Sequence, residues 1–261
     1  MTSDNDLGKG VKSAERSLDI LEYLAGRSDG VTFREIVEHL ALPRSSAHGL
    51  ISTLLDRGWI TGSERGQGYR LGIEAWRTGL AFDGHRHLVH VAEPHMIDLS
   101  GQLLETIQLA RLEGDHNVYI AIAESPRPMR LVSAVGMRLP SYATGIGKAL
   151  LSLLDDDEIE ARVSEDSLLP LTRHTATSMA QLLDRVGEAR ARGYALDDEE
   201  YAEDCRCVAV VVASESEIGF PAALSVTAPT SRTTKDWPSD VLPPLLAARQ
   251  KIRNDLGLLD N

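Results

Sequence analysis

Three helix-like segments separated by short turns lie close together near the N-terminus of the chain. In the first, leucines recur at three-residue steps from Leu18 to Leu24, which is the apolar stripe of an amphipathic helix. The second begins with Thr32 and Glu35 at the spacing of a capping box. The third follows Pro43, a residue favoured in the first turn of a helix. Short helices joined by such tight turns predict a helix-turn-helix unit.

A glycine-rich hairpin follows these helices. Residues 59–61 and 69–71 have the composition of short strands, and several glycines lie between them. A helix-turn-helix followed by a hairpin is a winged helix. We assign it to residues 11–71, after a flexible tail at 1–10.

The helix after Pro43 has a basic, hydroxyl-rich N-terminal half. Because the second helix of a helix-turn-helix enters the major groove, we expect this half to contact phosphates and base edges. The candidate DNA-binding residues are Arg44, Ser45, Ser46 and His48 on this helix, Arg65 in the wing and Arg70 at the base of the wing. The alternative is a winged helix that only mediates protein contacts, since fold alone does not decide function.

The distribution of charge supports the same division. The chain has 261 residues and a formal net charge of −12, which argues against nonspecific coating of nucleic acid. Residues 1–77 contain ten Lys/Arg and eleven Asp/Glu, whereas residues 78–261 contain seventeen and twenty-eight. The N-terminal part is therefore the one that tolerates DNA.

A second domain follows a helical connector at 72–90 and occupies residues 91–261. Pro94 fits the first turn of a helix that runs to about Leu104. Strands that surround segregated helices predict an α+β fold with one antiparallel sheet. The predicted strands are 106–112, 118–123, 131–135, 205–213 and 220–227, and the predicted helices are 147–154, 179–192 and 242–256.

The last two predicted strands flank a polar segment and form a hairpin centred near Ser216. In that register the opposite pairs are Cys207 with Ser225 and Cys205 with Thr227. Side chains two residues apart share a face of a strand, so these four form a polar patch in an apolar sheet. Such a patch is typical of a small-ligand pocket. Hydroxyl groups that only bond to the backbone are the alternative interpretation, and the two carry equal weight.

Gly145 and Ile146 open a predicted helix, where unpaired backbone amides favour an anion such as a carboxylate. The segment is not a phosphate-binding P-loop. Tyr142 occupies the position of a required glycine, and Ala149 the position of the Ser or Thr that binds magnesium. Nucleotide hydrolysis is therefore not expected.

No metal or cofactor site is expected. The chain has two cysteines at a spacing that suits neither a disulfide framework nor a zinc site. Four histidines in the connector region have mixed spacings, which favours a solvated or dimer-facing helix over a metal site. They are His85, His87, His90 and His95. A polar N-terminus without an apolar segment predicts a cytoplasmic protein with no membrane partner.

Three motifs in combination resemble the IclR family of bacterial transcription regulators. The first is LPRSSAHGLISTLLDRGWI followed by YRLG, the second is ESPRPMRLVSAVGMRLPSYATGIGKALL, and the third is RGYALDDEEYAEDCRCVAVVV with AALSVTAPTSR. The similarity extends from about Val11 to Leu256.

The resemblance implies a winged-helix DNA reader, a linker helix and a GAF-like effector domain, assembled as a homodimer or homotetramer on double-stranded operator DNA. It also implies an effector that is a small organic acid or an aromatic carboxylate. Carried over onto the matching positions, the pocket would use the amides of Gly145 and Ile146, the side chains of Asp197, Cys207, Ser225 and Thr227, and apolar walls from Leu131, Leu139 and Cys205.

Three positions depart from the pattern of the family. Gly49 stands where similar proteins carry Arg, which removes a DNA contact and costs the helix about 1 kcal/mol relative to Ala. Ile146 replaces a common Ala, and Thr227 replaces a frequent Ser. Both add bulk to the pocket and leave the size of the ligand open.

Two rival functions deserve comparison with regulation. A Cys-dependent hydrolase would use Cys207 as nucleophile and Asp197 as helper, but it needs a histidine base. Outside the connector region the larger domain offers only His116 and His174, and neither has a motif around it. The other rival is a ligand-sensing module that uses its winged helix for protein assembly. We expect a regulator and not an enzyme.

Overall fold

The computed structural model describes residues 11–27, 29–62, 68–81, 84–128 and 133–258. The chain divides into two compact units between Gly84 and His85. The predicted tail and two candidate site residues, Arg65 and Leu131, lie outside the described residues.

The N-terminal unit consists, in its described residues, of helices and one hairpin. They are α1 (Lys12–Ala25), α2 (Phe33–His39), α3 (Arg44–Asp56), β1 (Ile60–Gly62), β2 (Tyr69–Leu71) and α4 (Ile73–Leu80). Ile20, Ile36 and Ile51 bring the first three helices together around one apolar core. Each of these three side chains is buried.

The capping box that begins α2 is confirmed. The Thr32 amide donates to Glu35 Oε2 at 2.7 Å, and the Glu35 amide donates to Thr32 Oγ1 at 3.3 Å. Two amides that the helix leaves without partners are thereby satisfied.

The wing is a two-stranded antiparallel hairpin in which Ile60 pairs with Leu71. An isolated bridge between Val31 and Tyr69 joins it to the residue before the α2 cap. Gly68 has a φ of +94°, and a Cβ there would lie 2.6 Å from the Val31 carbonyl. Glycine is therefore required where the wing approaches the helices, and the winged helix-turn-helix prediction is confirmed.

The larger unit contains one six-stranded sheet in its described residues, with strand order β5-β4-β3-β8-β7-β6 and every neighbouring pair antiparallel. The strands are β3 (Thr106–Glu113), β4 (His116–Ala123), β5 (Arg138–Pro140), β6 (Ala195–Asp198), β7 (Cys205–Ala213) and β8 (Ala222–Pro229). The helices are α5 (Arg86–Leu103), α6 (Gly145–Leu151), α7 (Asp156–Arg162), α8 (Met179–Arg192), α9 (Glu215–Ile218) and α10 (Leu242–Asp255). The α+β class with one antiparallel sheet is confirmed.

Helices cover both faces of this sheet. On one face α5 and α10 pack on a core that includes Val210 and Leu224. On the other face α6, α7 and α8 pack on Ala209, Ala223 and their neighbours. The small alanines on the second face let α6 approach the sheet closely.

The prediction of a helix that starts at Pro94 is wrong, because α5 begins at Arg86 and Pro94 lies inside it. An internal proline costs about 3 kcal/mol. The buried side chains of Leu88, Met96 and Leu99 offset this cost, since each apolar side chain contributes about 1.5–3 kcal/mol on burial. Pro94 itself is exposed, so water can hydrate the carbonyl that it leaves without a partner.

The predicted register of the β7–β8 hairpin is also wrong, by two residues. Cys207 pairs with Thr227, and Ser225 pairs with Ala209. The connection is the single turn α9, which ends at Gly219 in a left-handed conformation, so the strands are not symmetric about Ser216. Because side chains alternate with a period of two, the shift leaves all the polar side chains on the predicted face.

Two further strands differ from prediction. The described part of the predicted strand 131–135 is not a strand, and the edge strand β5 lies at Arg138–Pro140. The strand β6 was not predicted, because it has only four residues and two of them are aspartates, which are uncommon in strands.

Gly147 generates a prediction about the packing of α6. A Cβ at this position would lie 2.3 Å from Ser141 O, so we expect Gly147→Ala to lower the free energy of unfolding by more than about 2 kcal/mol. Gly187 in α8 is the matched control, because a Cβ there meets nothing within 4 Å. Gly187→Ala should raise the free energy of unfolding by about 0.5–1 kcal/mol. Urea unfolding followed by circular dichroism measures both, and equal effects would contradict the packing.

Candidate functional site

The exposed face of α3 carries the candidate DNA-binding side chains. Arg44, Ser45 and His48 are exposed, as is Arg70 on β2. Ser46 is half-buried, and its hydroxyl accepts a hydrogen bond from Arg16 Nη1 at 3.2 Å. The described candidates on α3 therefore lie in the first two turns of one short helix.

Two contacts shape this face. The His48 ring stacks on Phe33 with centroids 4.1 Å apart, which fixes the direction of the imidazole. Gly49 is exposed, and a Cβ there would meet nothing within 4 Å. The glycine that departs from the pattern of the family is thus not required by packing.

A cavity of about 140 Å³ lies between α6 and the sheet, and we call it the α6 cavity. Its volume is below the ~300 Å³ that drug-sized ligands need. Its described lining is Gln108, Tyr119, Ser133, Met137, Leu139, Thr144, Ile146, Asp197, Tyr201, Ala202, Cys205, Cys207 and Thr227. Six of the expected effector residues are in this set.

The other expected residues stand differently. Ser225 lies on the same face of the sheet but is fully buried behind the lining. Gly145 forms the start of α6, where a Cβ would come within 3.0 Å of Cys207 Sγ. A Cβ at this position would require Cys207 to shift by a few tenths of an ångström.

The start of α6 has unused backbone donors. Thr144 caps the helix, because its Oγ1 accepts from the Gly147 amide at 3.0 Å and donates to Asn117 Oδ1 at 2.7 Å. Among the described residues, the amides of Gly145 and Ile146 have no hydrogen-bond acceptor. Two donors beside the α6 cavity are suited to a carboxylate.

Asp197 is the acidic side chain in the described lining. Its Oδ1 accepts from the amides of Glu200 at 2.7 Å and Tyr201 at 3.4 Å. Burial raises the pKa of Asp197 to about 7, the nearby Lys148 charge opposes the rise, and Glu200 adds to it. The carboxyl can therefore hold a proton near neutral pH.

A buried ion-pair network lies behind Asp197. Lys148 is only 2% exposed, and its ammonium pairs with Glu200, which also pairs with Arg185. Arg185 Nη2 donates to His174 O at 2.7 Å. Burial of an ammonium is tolerated here because the carboxylate partner lies beside it.

The two cysteines do not have the character of nucleophiles. Burial raises the pKa of Cys207 to about 12, with Asp197 adding to the effect. Burial also raises the pKa of Cys205, again with a contribution from Asp197. Both thiols stay protonated at neutral pH, and the described lining of the α6 cavity contains no histidine.

Several lining residues were not predicted. Gln108 and Tyr119 lie on strands that were predicted as strands, without any site residue. Gln108 had a detectable signal, because it is a polar residue on the face that Ala110 and Leu112 share in an apolar strand. Tyr201 and Ala202 follow the unpredicted strand β6, so no pattern indicated them.

The described residues contain no group of three or more His, Cys, Asp or Glu side chains arranged to hold a metal ion. In the same residues, no helix has the length and apolar character that crossing a membrane requires.

Comparison with known proteins identifies relatives of both units. The family described as "Bacterial transcriptional regulator IclR C-terminal" matches residues 82–254, and the "IclR helix-turn-helix domain" matches residues 13–63. The acetate operon repressor of Salmonella typhimurium strain LT2 is 33% identical over 228 residues, which cover 87% of this chain and 83% of the repressor. The transcriptional repressor IclR of Escherichia coli strain K12 is 31% identical over 228 residues, with the same coverage.

A solved structure is similar over nearly the whole chain. It is an IclR homolog from Microbacterium hydrocarbonoxydans in complex with 4-hydroxybenzoate. Its TM-score is 0.77 at 25% identity, and the match covers 94% of this chain and 99% of the homolog.

Asp197 generates a prediction about pH and stability. Its pKa is about 7 in the folded protein, and an unfolded aspartate has a pKa of about 3.9. Between these values the folded state holds a proton that the unfolded state releases, so the free energy of unfolding falls as the pH rises from about 4 to about 7. Asp197→Asn removes this contribution. In urea unfolding, the free energy of unfolding of Asp197→Asn minus that of wild type should rise by at least about 1 kcal/mol from pH 5 to pH 8.

Asp198→Asn is the control for this experiment. Asp198 is the next residue of β6, is exposed, and accepts from Arg206 Nε at 2.6 Å. The difference in the free energy of unfolding between Asp198→Asn and wild type should not change with pH as it does for Asp197→Asn. A constant difference between Asp197→Asn and wild type across this pH range would show that Asp197 is ionised throughout.

Proposed function

The chain belongs to the IclR family of bacterial transcriptional regulators, and on that basis we propose a sequence-specific DNA-binding regulator controlled by a small organic acid or an aromatic carboxylate. One observation carries the proposal: a winged helix with an exposed basic helix start is joined to a unit with a small, mainly apolar cavity that also has polar groups in its wall. We assign DNA reading to residues 11–71, connection to 72–90 and effector binding to 91–261. The protein acts in the cytoplasm, where its DNA and its metabolite effector are found.

DNA is read by the exposed face of α3. Arg44 and Ser45 are exposed at the start of the helix, so their side chains can enter a major groove. Ile51 and Leu54 are buried and hold the opposite side of the helix to its core. His48 presents a ring fixed by Phe33. Ser46, Arg65 and Arg70 complete the proposed contacts with phosphates and groove edges.

The effector occupies the α6 cavity. Its carboxylate accepts from the amides of Gly145 and Ile146, which have no other acceptor among the described residues. An ionised Asp197 would repel that carboxylate, so the ligand presents a hydroxyl to Asp197, or this side chain binds protonated. Binding of 4-hydroxybenzoate by the Microbacterium homolog supports a ligand of this class.

Catalysis is not part of the proposal. The hydrolase alternative needs a thiolate and a base, and the pKa values of both cysteines are raised away from thiolate formation. The named relatives are repressors rather than enzymes.

The DNA interface generates a prediction. Arg44→Ala should weaken binding to the DNA upstream of the chain's own gene or of a neighbouring operon, because it removes a cation from the docking face. The slope of log K against log salt concentration should fall by about one unit. Ser46→Ala should weaken binding less, since Ser46 is half-buried and already bonded to Arg16. Fluorescence anisotropy over a range of salt concentrations measures both.

Arg192→Ala is the matched control for Arg44→Ala, because Arg192 lies in the larger unit and pairs with Glu188. Its DNA affinity and salt slope should equal those of wild type. Wild-type DNA binding by both Arg44→Ala and Ser46→Ala would mean that the docking face is assigned incorrectly.

The effector site generates a second prediction. In calorimetry against 2-oxo acids, hydroxy acids and hydroxybenzoates, one compound should bind, and Asp197→Asn should reduce its affinity by about 10-fold to 100-fold. The reduction reflects loss of a hydrogen bond to a charged group, worth about 1.5–3 kcal/mol. Asp198→Asn is again the control and should bind like wild type. Equal affinity in Asp197→Asn and wild type would place the effector elsewhere.

We also propose a homodimer or homotetramer, because two half-sites give a helix-turn-helix protein more affinity than one. The helix α4 has no buried residue and presents Ile73 and Trp76, each 61% exposed, on one side. Such a stripe is typical of a surface that pairs with a second copy. Sedimentation should show self-association that Trp76→Glu weakens, and a wild-type monomer at all concentrations would refute this assembly.

A further inference from the structure

Gln108 connects strand β3 to two hydroxyl groups of β8 at the wall of the α6 cavity. It is 1% exposed and belongs to the lining of the cavity. Ser225 Oγ donates to Gln108 Oε1 at 3.0 Å, and Thr227 Oγ1 donates to the same oxygen at 2.9 Å. Gln108 and Ser225 are also partners in the register of the two strands.

These two hydrogen bonds orient the amide of Gln108. A carbonyl oxygen has two lone pairs, and the hydroxyls of Ser225 and Thr227 occupy both. With the amide reversed, neither hydroxyl could donate to Gln108, and Cys207 Sγ, which interacts with both hydroxyls, is a weak acceptor. The observed orientation gives each hydroxyl proton an amide oxygen instead, so it is the stronger arrangement.

The orientation leaves the Gln108 amino group short of acceptors. Nε2 carries two hydrogens, and the one acceptor that it has among the described residues is Ser133 Oγ at 3.5 Å, the outer limit of a hydrogen bond. Ser133 also lines the α6 cavity. A nearly buried donor with so weak a partner gains from an acceptor oxygen supplied by a ligand.

We propose that Gln108 is a specificity-determining residue, whose amino group selects effectors that carry an acceptor oxygen in addition to the carboxylate. The keto oxygen of a 2-oxo acid and the hydroxyl oxygen of a hydroxy acid or a hydroxybenzoate meet this requirement, and an unsubstituted acid does not. Ser225 acts as a positioning residue, because it is fully buried and its hydroxyl proton is bonded to Gln108. The inference rests on the proposed effector site and specifies its chemistry.

The amino group of Gln108 complements Asp197, which also lines the cavity. Asp197 accepts a hydrogen bond from a ligand hydroxyl when it is ionised, or binds the ligand in its protonated form. Gln108 Nε2, in contrast, can only donate. A hydroxyl group can accept from Gln108 and donate to Asp197 in turn, and a keto group can accept from Gln108. The pair therefore disfavours an acid whose remaining surface is entirely apolar.

Two matched pairs of acids test the proposal with the full-length protein: 4-hydroxybenzoate against benzoate, and 2-oxobutanoate against butanoate. In wild type, the oxygenated member of at least one pair should bind at least about fivefold more tightly, the equivalent of about 1 kcal/mol. In Gln108→Leu this preference should fall to about twofold or less. Gln102→Leu is the matched control, since Gln102 is exposed on α5, and it should retain the wild-type preference.

A double-mutant cycle tests the role of Ser225. Ser225→Ala should reduce the preference in the wild-type background and have no further effect in Gln108→Leu, because it acts through Gln108. A purely structural role would instead change the affinities for both members of a pair equally. Additive effects of the two substitutions would refute the positioning role.

A spectroscopic measurement reports on Gln108 in the wild-type protein itself. In wild-type protein labelled with ¹⁵N, the side-chain amide resonances that disappear in Gln108→Leu should shift with 4-hydroxybenzoate and not with benzoate. Binding of both members with equal affinity refutes selection by Gln108 and leaves the effector site in place. No binding of any of the four acids to wild type refutes the proposed effector site itself, and the selection with it.

Discussion

The close approach of α6 to the sheet is the constraint on which the larger unit depends. All residues of this helix are buried, and Gly147 lies against the Ser141 backbone while Gly145 lies against Cys207. Gly147 has no room for a larger side chain, and a Cβ at Gly145 would require Cys207 to shift. The approach puts the amides of Gly145 and Ile146, which have no acceptor among the described residues, beside the polar face of β7 and β8, and so forms a wall of the cavity. Thr144 holds this start in place through its cap on Gly147 and its hydrogen bond to Asn117.

Burial of α6 also sets the electrostatics of the site. Lys148 is carried into the interior with the helix, where Glu200 neutralises it, and Glu200 also binds Arg185. The backbone amides of Glu200 and of the next residue, Tyr201, donate hydrogen bonds to Asp197. Asp197 therefore sits in a buried site, and burial raises its pKa by more than the nearby Lys148 charge lowers it. Such a carboxyl can respond to the charge of a ligand near neutral pH.

Much of the fold was predictable because it rests on local patterns. The capping box at Thr32, the helix Met179–Arg192 and the strand Cys205–Ala213 follow from residues that are adjacent in the sequence. The failures came where distant contacts decide. The packing of α5 outweighed the local effect of Pro94, and the α9 turn shifted the β7–β8 register by an amount that no periodicity reveals. The role of Gln108 depends on hydroxyl groups more than a hundred residues away, at Ser225 and Thr227. The polar face was predictable from its period of two, but the direction of each hydrogen bond was not.

Regulation requires that the acid in the α6 cavity and the DNA on α3 influence each other. The most direct measurement is reciprocal and uses the full-length chain at one salt concentration. The Kd for the upstream DNA is measured without and with a saturating amount of the acid that binds, and the Kd for the acid is measured without and with the DNA. If the cavity controls DNA binding, both constants change by the same factor, of about fivefold or more, because coupling between two binding sites is symmetric. An unchanged DNA affinity with the acid bound would contradict the central claim.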